Sequence, residues 1–591
     1  MSKLTARIQE LPVSAQIQDR KRYRKYLYHA AQAATWASGL YFTTRLGLLL
    51  NAPQQTWQMW LMLGAEAIFA RLSPQNQLLT LAAGPEPRSP RPRLRLQGTT
   101  DLPRVDILVP CCGESLDVIM DTVRAACAID YPASRFRVLL LDDGGSTELK
   151  AAIQSLQATY PNVSYHTRGS HPGKVFAKAG NLNYALFSLQ EDFDPEYCAI
   201  FDADCIPSPD FLRATLPHLL LNSQAALLTT RQYYYNLPTG DPLSQSRIHF
   251  YACENADLDA QGVAIDAGSG ALFRRTAILD VGGYPTFSFS EDWQLSLILQ
   301  GHGYQTLQVE EPLQFGLVPS TLQGHIAQRN RWNIGHSQQI KALLPPVNKS
   351  IPRKLQWDIA FNGMGMVMAL VSHLFGYLAV PALALAPQVI PVSEPWMAHL
   401  QLGLAILYLA LTWLYASLQV ASTGFRVSLF PHLENSWLAG THLFAMLKFY
   451  CVTTKPKGSF VTGSSANSWN RSSTVPRYRK LAGDIFATGG LLSLCLFFAT
   501  ISAVAFSVLR TIMLATKVSS DMSSEYLTGA LGSIFWPPLL HLVYLAVTNL
   551  WVPVACLFRP PVYPDRNSRL EETKQANRFP KADIREELAR Q

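Results

Sequence analysis

"YCAIFDADCIP", residues 197–207, runs from apolar side chains into two acids and then a proline. A short apolar run closed by a turn signal reads as a buried strand, and the carboxyl end of this one carries Asp202 and Asp204. The pattern repeats at "RVLLLDDGG" (137–145), which ends on Asp142 and Asp143. "VDILVP" (105–110) is a further apolar strand, followed by a helical stretch through 115–129. Strands alternating with helices predict an α/β sheet. In open sheets of that kind ligands bind beyond the carboxyl ends of the strands, so the four acids mark where a site should lie.

Outside this region the chain turns apolar. Of its 591 residues 48% are hydrophobic and 16% charged, against roughly 25% charged in an ordinary soluble domain. Six stretches near 29–50, 55–71, 361–385, 400–421, 486–514 and 534–557 have the length of about 20 apolar residues that a bilayer requires. The polar region 101–345 is expected to form one domain inserted into this bundle. Basic residues set the orientation. Lys3, Arg7, Arg20, Lys21, Arg22, Arg24 and Lys25 precede the first stretch, and Arg71, Arg88, Arg91, Arg93 and Arg95 follow the second. The connections at 51–57 and 386–399 hold no lysine or arginine. Residues 1–28, the large domain, the segment 422–485 and the tail 559–591 are therefore expected in the cytoplasm of a multi-pass inner-membrane protein.

Smaller features complete the organisation. The Pro/Arg-rich stretch "GPEPRSPRPRLR" (84–95) reads as a linker, and 438–450 as a helix lying in the interface. Arg45 falls inside the first apolar stretch, where it either reaches to the outer interface or lines a polar conduit. The nine cysteines form no CxxC pair and no zinc-type spacing, and no apolar signal segment precedes Lys25.

Four motifs carry chemistry, each with a bland alternative. In "DAD" (202–204), period-two alternation along an extended chain puts both carboxylates on one side, where they could share a hard cation together with substrate phosphates. A solvated turn would look the same. Lys178 in "AKAGNLN" (177–183) suits a phosphate, or is a surface lysine. The acids of "SED" (290–292) open an amphipathic helix, where they serve either the helix dipole or base catalysis. In "QRNRW" (328–332), helical spacing puts Gln328, Arg331 and Trp332 on one face. Arginine and tryptophan there fit a diphosphate and a sugar ring, or lipid headgroups and an aromatic belt.

Taken in order, "VDILVP", "LLLDDGG", "AKAGNLNYAL", "FDADCIP", "GSGALFRR", "SED", "EEPLQFGLVPSTLQGHIAQRNRW" and "YCVTTKPKG" resemble the catalytic subunit of bacterial cellulose synthase, among the processive family-2 glycosyltransferases. The resemblance spans roughly residues 28–558. It implies a GT-A-type α/β domain in the cytosol, set in an α-helical transmembrane bundle of about six spans, with a channel region over 346–558 and a gating loop over 450–466. It also implies an inverting, processive transfer of glucose from UDP-glucose to a growing β-glucan, most naturally β-1,4-linked, extruded across the bilayer. Curdlan, a mixed-linkage glucan or a non-processive, lipid-directed transfer are the alternatives.

Carried onto this chain, the resemblance makes Asp292 the general base, with Glu291 beside it. Asp142, Asp143, Lys178, Gln328 and Arg331 would bind the donor. Asp202 and Asp204 would hold UDP and its Mg2+ or Mn2+, and Trp332 would stack on the acceptor sugar. Tyr450, Val452, Thr453 and Lys455 match the gating loop. Periplasmic or outer-envelope export subunits would be partners, and nucleic acid would not. The chain departs from the family pattern at "SED" for TED, at Ala267 in place of a cysteine, and at "VPCCGE" (109–114). Residues 559–591 are too few for a cyclic di-GMP-binding PilZ domain, so no control by that nucleotide through this chain is expected.

Overall fold

The computed structural model describes residues 7–452 apart from breaks at 13–14, 71, 87–89, 170–176, 190–192, 350, 385–390, 392–393 and 425–432. It further describes scattered positions between 479 and 513, and residues 561–589 apart from 574–576. Three helices come first, α1 (Ala15–Leu50), α2 (Trp57–Ala70) and α3 (Leu72–Ala83).

Seven strands then build the central sheet: β1 (Val105–Cys111), β2 (Phe136–Asp142), β3 (Val163–His166), β4 (Tyr197–Ile200), β5 (Ala225–Thr230), β6 (Ala271–Arg274) and β7 (Gln305–Val309). Their order is β7-β5-β6-β4-β1-β2-β3. All pairings are parallel except those of β6, which runs antiparallel to both β4 and β5. The α/β sheet expected from the sequence is thus present.

Every residue of β1 is buried, because both faces of the sheet are covered. Side chains alternate between the two sides of a strand. Ile107, Val109, Val138 and Leu140 point into one core with Ile119 and Val123 of α4 (Leu116–Cys127), Ile153 of α5 (Thr147–Leu156) and Phe211 of α7 (Phe211–Leu221). Leu108, Leu139 and Leu141 point into the other, with Leu182 of α6 (Ala177–Ser188) and Leu295 of α8 (Glu291–Gly301). Each such side chain contributes on the order of 1.5–3 kcal/mol by burial. The sheet is therefore a rigid base for whatever its edges carry. The strand order reverses at β1, with β2 on one side and β4 on the other, which opens a crevice at the carboxyl ends.

The described residues of the expected linker and tail pack against the large domain. In the stretch 84–95 the described arginines are held by acids. Arg91 pairs with Asp259 at 2.7 Å, Arg93 with Glu311 at 3.0 Å, and Arg95 with Glu311 at 2.7 Å and Asp210 at 2.6 Å. Its last residues, Leu94–Leu96, pair with Ile8–Glu10. The stretch 559–591 is more than a tail. Its strands Leu570–Glu572 and Arg578–Pro580 form a hairpin, followed by the helix Ala582–Ala589. Leu570, Phe579, Ile584 and Leu588 pack on Ile206, Tyr233, Tyr235 and Phe315 of the large domain. Arg45 lies in α1. It is buried and donates from Nη1 to Gln401 Oε1 at 2.5 Å, in α11 (Pro395–Ser422). Tyr41 stacks on Tyr408 in the same seam, with ring centroids 6.1 Å apart.

Among the described residues one helix, His399–Ser422, has the length and hydropathy of a membrane crossing. The 14 residues of α2 extend only about 21 Å at 1.5 Å per residue. The expected span at 361–385 falls in α10 (Arg353–Ala384). Most of the stretch 486–514, and all of 534–557, lie outside the described residues. The helix expected near 438–450 is α12 (Leu433–Leu447). Its Trp437 and Leu438 pack on Leu322 and Ile326 of α9 (Leu322–Ser337), the helix that carries QRNRW.

Candidate active site

A cavity opens where β1, β2 and β4 end. The turn after β4 brings in Asp202 and Asp204. The strand stops at Ile200, and Cys205 N donates to Asp202 O at 2.9 Å. The two acids therefore share the cavity because of a turn, and not through the period-two extension read from the sequence. Asp204 is pushed up to about 7 by burial, and then by the negative charge of Asp202 and Glu114.

Lys178 sits in the first turn of α6. Its Nζ lies 2.7 Å from Asp202 Oδ1 and 3.5 Å from Glu291 Oε1, and donates to Gly268 O at 2.7 Å. Burial disfavours its charge, yet Asp202, Glu291 and Asp292 more than offset this, so Lys178 stays a cation well above pH 7. Glu291 and Asp292 occupy the first turn of α8 and line the cavity. Burial raises both above the ordinary carboxylate range, against the pull of Lys178. Asp292 Oδ1 accepts from Trp293 N at 2.7 Å. Its other oxygen faces Gly268, whose φ of +91° suits glycine alone.

Helix α9 begins at Thr321, whose hydroxyl accepts from Gly324 N at 3.0 Å. The helix presents Gln328, Arg331 and Trp332 to the cavity, the face expected from their spacing. Arg331 faces Asp202, Glu291 and Asp204, which counter the cost of burying its guanidinium. The guanidinium of Arg329 lies 4.3 Å from the Trp332 ring centroid, and that of Arg247 lies 4.8 Å from it. The segment before the acids is fixed to the same helix and to the residue that follows it: Ser288 Oγ donates to Gly335 O at 2.8 Å, and Phe289 N donates to Gln338 Oε1 at 3.0 Å.

Asp142 and Asp143 separate. Asp143 lines the cavity and is held by Arg168 through two hydrogen bonds, at 2.8 and 2.5 Å. The Asp142 carboxylate is buried and accepts from Gly144 N and Ser146 N at 2.7 Å each, and from Tyr165 OH at 2.8 Å. It shapes the loop beside the cavity. Tyr450 and Val452 lie in the turn Lys448–Val452, where the Tyr450 hydroxyl bonds Ser337 Oγ at 2.8 Å. Thr453 and Lys455 lie outside the described residues.

The oxygen donors Asp202 and Asp204 suit Mg2+ or Mn2+, which take carboxylates together with substrate phosphates. Among the described residues no group of three acidic, His or Cys side chains is arranged as a metal site. Three of the acidic, lysine and arginine residues in the lining escaped the sequence reading: Glu114, Asp266 and Arg247. Glu114 ends "VPCCGE" at the mouth of β1, and Asp266 directly precedes the turn at Gly268, so position relative to a strand end or glycine could have flagged them. Arg247 had no such signal, since a fold-dependent loop brings it in.

Residues 103–335 match the family model described as "Glycosyltransferase like family 2". This stretch is similar to family-2 glycosyltransferases. Similar proteins include Cellulose synthase 2 of Novacetimonas hansenii, 36% identical over 247 residues, covering 41% of this chain and 15% of that protein. The "Cellulose synthase catalytic subunit [UDP-forming]" of Xanthomonas axonopodis pv. citri (strain 306) is 35% identical over 243 residues, covering 40% and 32%. Cellulose synthase 1 of Komagataeibacter xylinus is 30% identical over 423 residues, covering 68% and 24%. The chain thus spans about a third or less of the length of these relatives. Among solved structures, the mannosyltransferase PcManGT from Pyrobaculum calidifontis, in complex with GDP-Man and Mn2+, is 19% identical. It covers 61% of this chain and 97% of its own, with a TM-score of 0.40, too loose a likeness to carry an argument.

Proposed function

We propose that the protein is a processive, inverting glycosyltransferase that polymerises glucose from UDP-glucose into a β-1,4-glucan and passes the product across a membrane. One observation carries this reading. Lys178, Asp202, Asp204, Glu291, Asp292, Gln328, Arg331 and Trp332, scattered over some 150 residues, face one cavity at the carboxyl ends of the sheet.

In this reading Lys178 and Arg331 bind the diphosphate of the donor, with Gln328 beside them. The loop shaped by Asp142 and lined by Asp143 receives the uracil. Trp332 offers its ring to the terminal sugar of the acceptor. Asp292, raised in pKa and lining the cavity, takes the proton from the acceptor hydroxyl as that oxygen attacks C1. Glu291 holds Lys178 near the diphosphate. Mg2+ or Mn2+ held by Asp202 and Asp204 would neutralise the charge that develops on the leaving UDP. UDP then needs no protonation to leave, unlike the alcohol released in glycoside hydrolysis. A single displacement inverts the anomeric centre, so an α-linked donor yields a β-linked product.

The apolar helices, the basic cytoplasmic loops and the contact between α12 and α9 support an inner-membrane location with the catalytic domain in the cytoplasm. They also support release of the glucan into an adjoining channel, where export subunits could receive it. The segment beginning at Tyr450 would close over the bound donor.

Purified protein in liposomes, given UDP-glucose and Mg2+, should make a high-molecular-weight product degraded by an endo-β-1,4-glucanase. A product that resists this enzyme and yields to a β-1,3-glucanase would keep the mechanism and change the polymer. A lipid-linked monoglycoside as sole product would overturn processivity.

A further inference from the structure

Arg247 stands in a strained, tied-down loop. Its φ is +51°, and Ser244 and Asp241 nearby are at +52° and +38°, a conformation that non-glycine residues adopt only when their surroundings enforce it. The enforcement is visible. Asp241 accepts from Gln245 N at 2.8 Å and Ser246 N at 2.9 Å. The buried Gln245 side chain then spans two anchors: its Nε2 donates to Pro319 O at 2.7 Å, and its Oε1 accepts from Tyr563 OH at 2.7 Å. Pro319 lines the cavity. Arg247 leaves this loop with its guanidinium 4.8 Å from the Trp332 ring and 4.4 Å from the Phe250 ring, on the Trp332 side of the cavity.

Tyr563 belongs to a segment anchored to helix α4. Arg566 pairs with Asp117 at 2.5 Å and also with the buried Asp121, which Arg578 approaches to 3.4 Å. Arg569 Nε donates to Tyr235 O at 3.0 Å. The apolar side chains of the hairpin and helix cover Tyr233, Tyr235 and Phe315, next to the cavity-lining Gln232, Tyr234 and Leu317.

We propose that residues 561–573 and 577–589 act as an intramolecular brace: through Tyr563 and Gln245 they hold the loop 238–247 so that Arg247 presents its guanidinium to the hydroxyls of the acceptor beside Trp332. The proposal rests on the transferase reading above. It makes Arg247 an acceptor-binding residue and Tyr563 a positioning residue. In the donor half of the cavity Lys178 pairs with Asp202, Glu291 and Gly268, none of them in the brace.

The test uses the full chain with the substitutions Tyr563→Phe, Arg247→Ala and both together, with Arg566→Ala as a second way to loosen the segment. Three quantities are measured: UDP affinity without turnover, the KM for a cello-oligosaccharide acceptor, and amide hydrogen exchange over 238–247. Tyr563→Phe should raise the acceptor KM on the order of threefold to tenfold, the loss of one hydrogen bond's net contribution, with UDP affinity unchanged. The double variant should be no worse than Arg247→Ala alone, because one residue acts through the other. Exchange over 238–247 should quicken in Arg566→Ala. Additive effects, unchanged exchange in Arg566→Ala, or an acceptor KM unmoved by Tyr563→Phe would each overturn the brace. Wild-type protein that transfers no sugar from any UDP-sugar would overturn the transferase reading instead, while the exchange measurement would still judge the brace.

Discussion

A Cβ placed on Gly268 would stand 2.4 Å from Asp292 Oδ2 and 3.4 Å from Lys178 Nζ. The backbone at Gly268 is thus the surface against which the proposed base and the proposed diphosphate lysine are both seated. Gly268→Ala has two costs, since the φ of +91° is strained for alanine and the added methyl displaces the Asp292 carboxylate. A displaced catalytic group costs on the order of a hundredfold in rate. Turnover should fall by about that factor while the protein still binds UDP, as read by steady-state kinetics and by titration with UDP.

Asp292→Asn removes the proton acceptor and preserves the shape. The loss in turnover should be on the order of 10²–10⁴-fold, with UDP binding largely intact. Polymer synthesis at the wild-type rate would remove Asp292 as the base.

The pH dependence has a defined sign. Asp292 works as a base only when ionised, and burial holds its pKa above the ordinary carboxylate value. Activity should therefore fall with acidification earlier than a normal aspartate would dictate, and be fully present above the raised pKa. Lys178 opposes that rise. Lys178→Met should move the acidic limb of the kcat profile upward by on the order of one pH unit, and should also weaken UDP binding. A limb that stays in place would separate Lys178 from the base.

Trp332→Ala should act on the acceptor. Elongation and polymer length should drop, with the KM for UDP-glucose nearly constant. An unaltered product length would count against stacking at this ring.

Chelation tests the oxygen-donor pair. Activity should vanish with EDTA and return with Mg2+ or Mn2+, whereas Asp204→Asn should resist rescue by added metal. Full activity in EDTA would exclude a role for the pair in holding a cation.

Much of this was written locally. β1, β2 and β4 are apolar runs that a sheet covered on both faces requires, and each could be recognised without its partners. The acids at their ends, the acids opening α8, and the shared face of Gln328, Arg331 and Trp332 follow from short-range geometry alone. The sequence by itself determined three of the seven strands, their ends and the residue types gathered there, because these depend on periodicities of two and 3.6 residues. Only the tertiary structure decided where each carboxylate is directed. Asp142 turns to the backbone of its own loop, and Asp143 faces the cavity, although the two are neighbours in the chain. Tertiary packing also brought Arg247 to Trp332, Tyr563 to Gln245, and Arg45 to Gln401, across separations of 85, 318 and 356 residues. No local pattern encodes such pairings, because they arise from how completed elements pack, and the energy that selects them exists only once the sheet and its covering helices are in place.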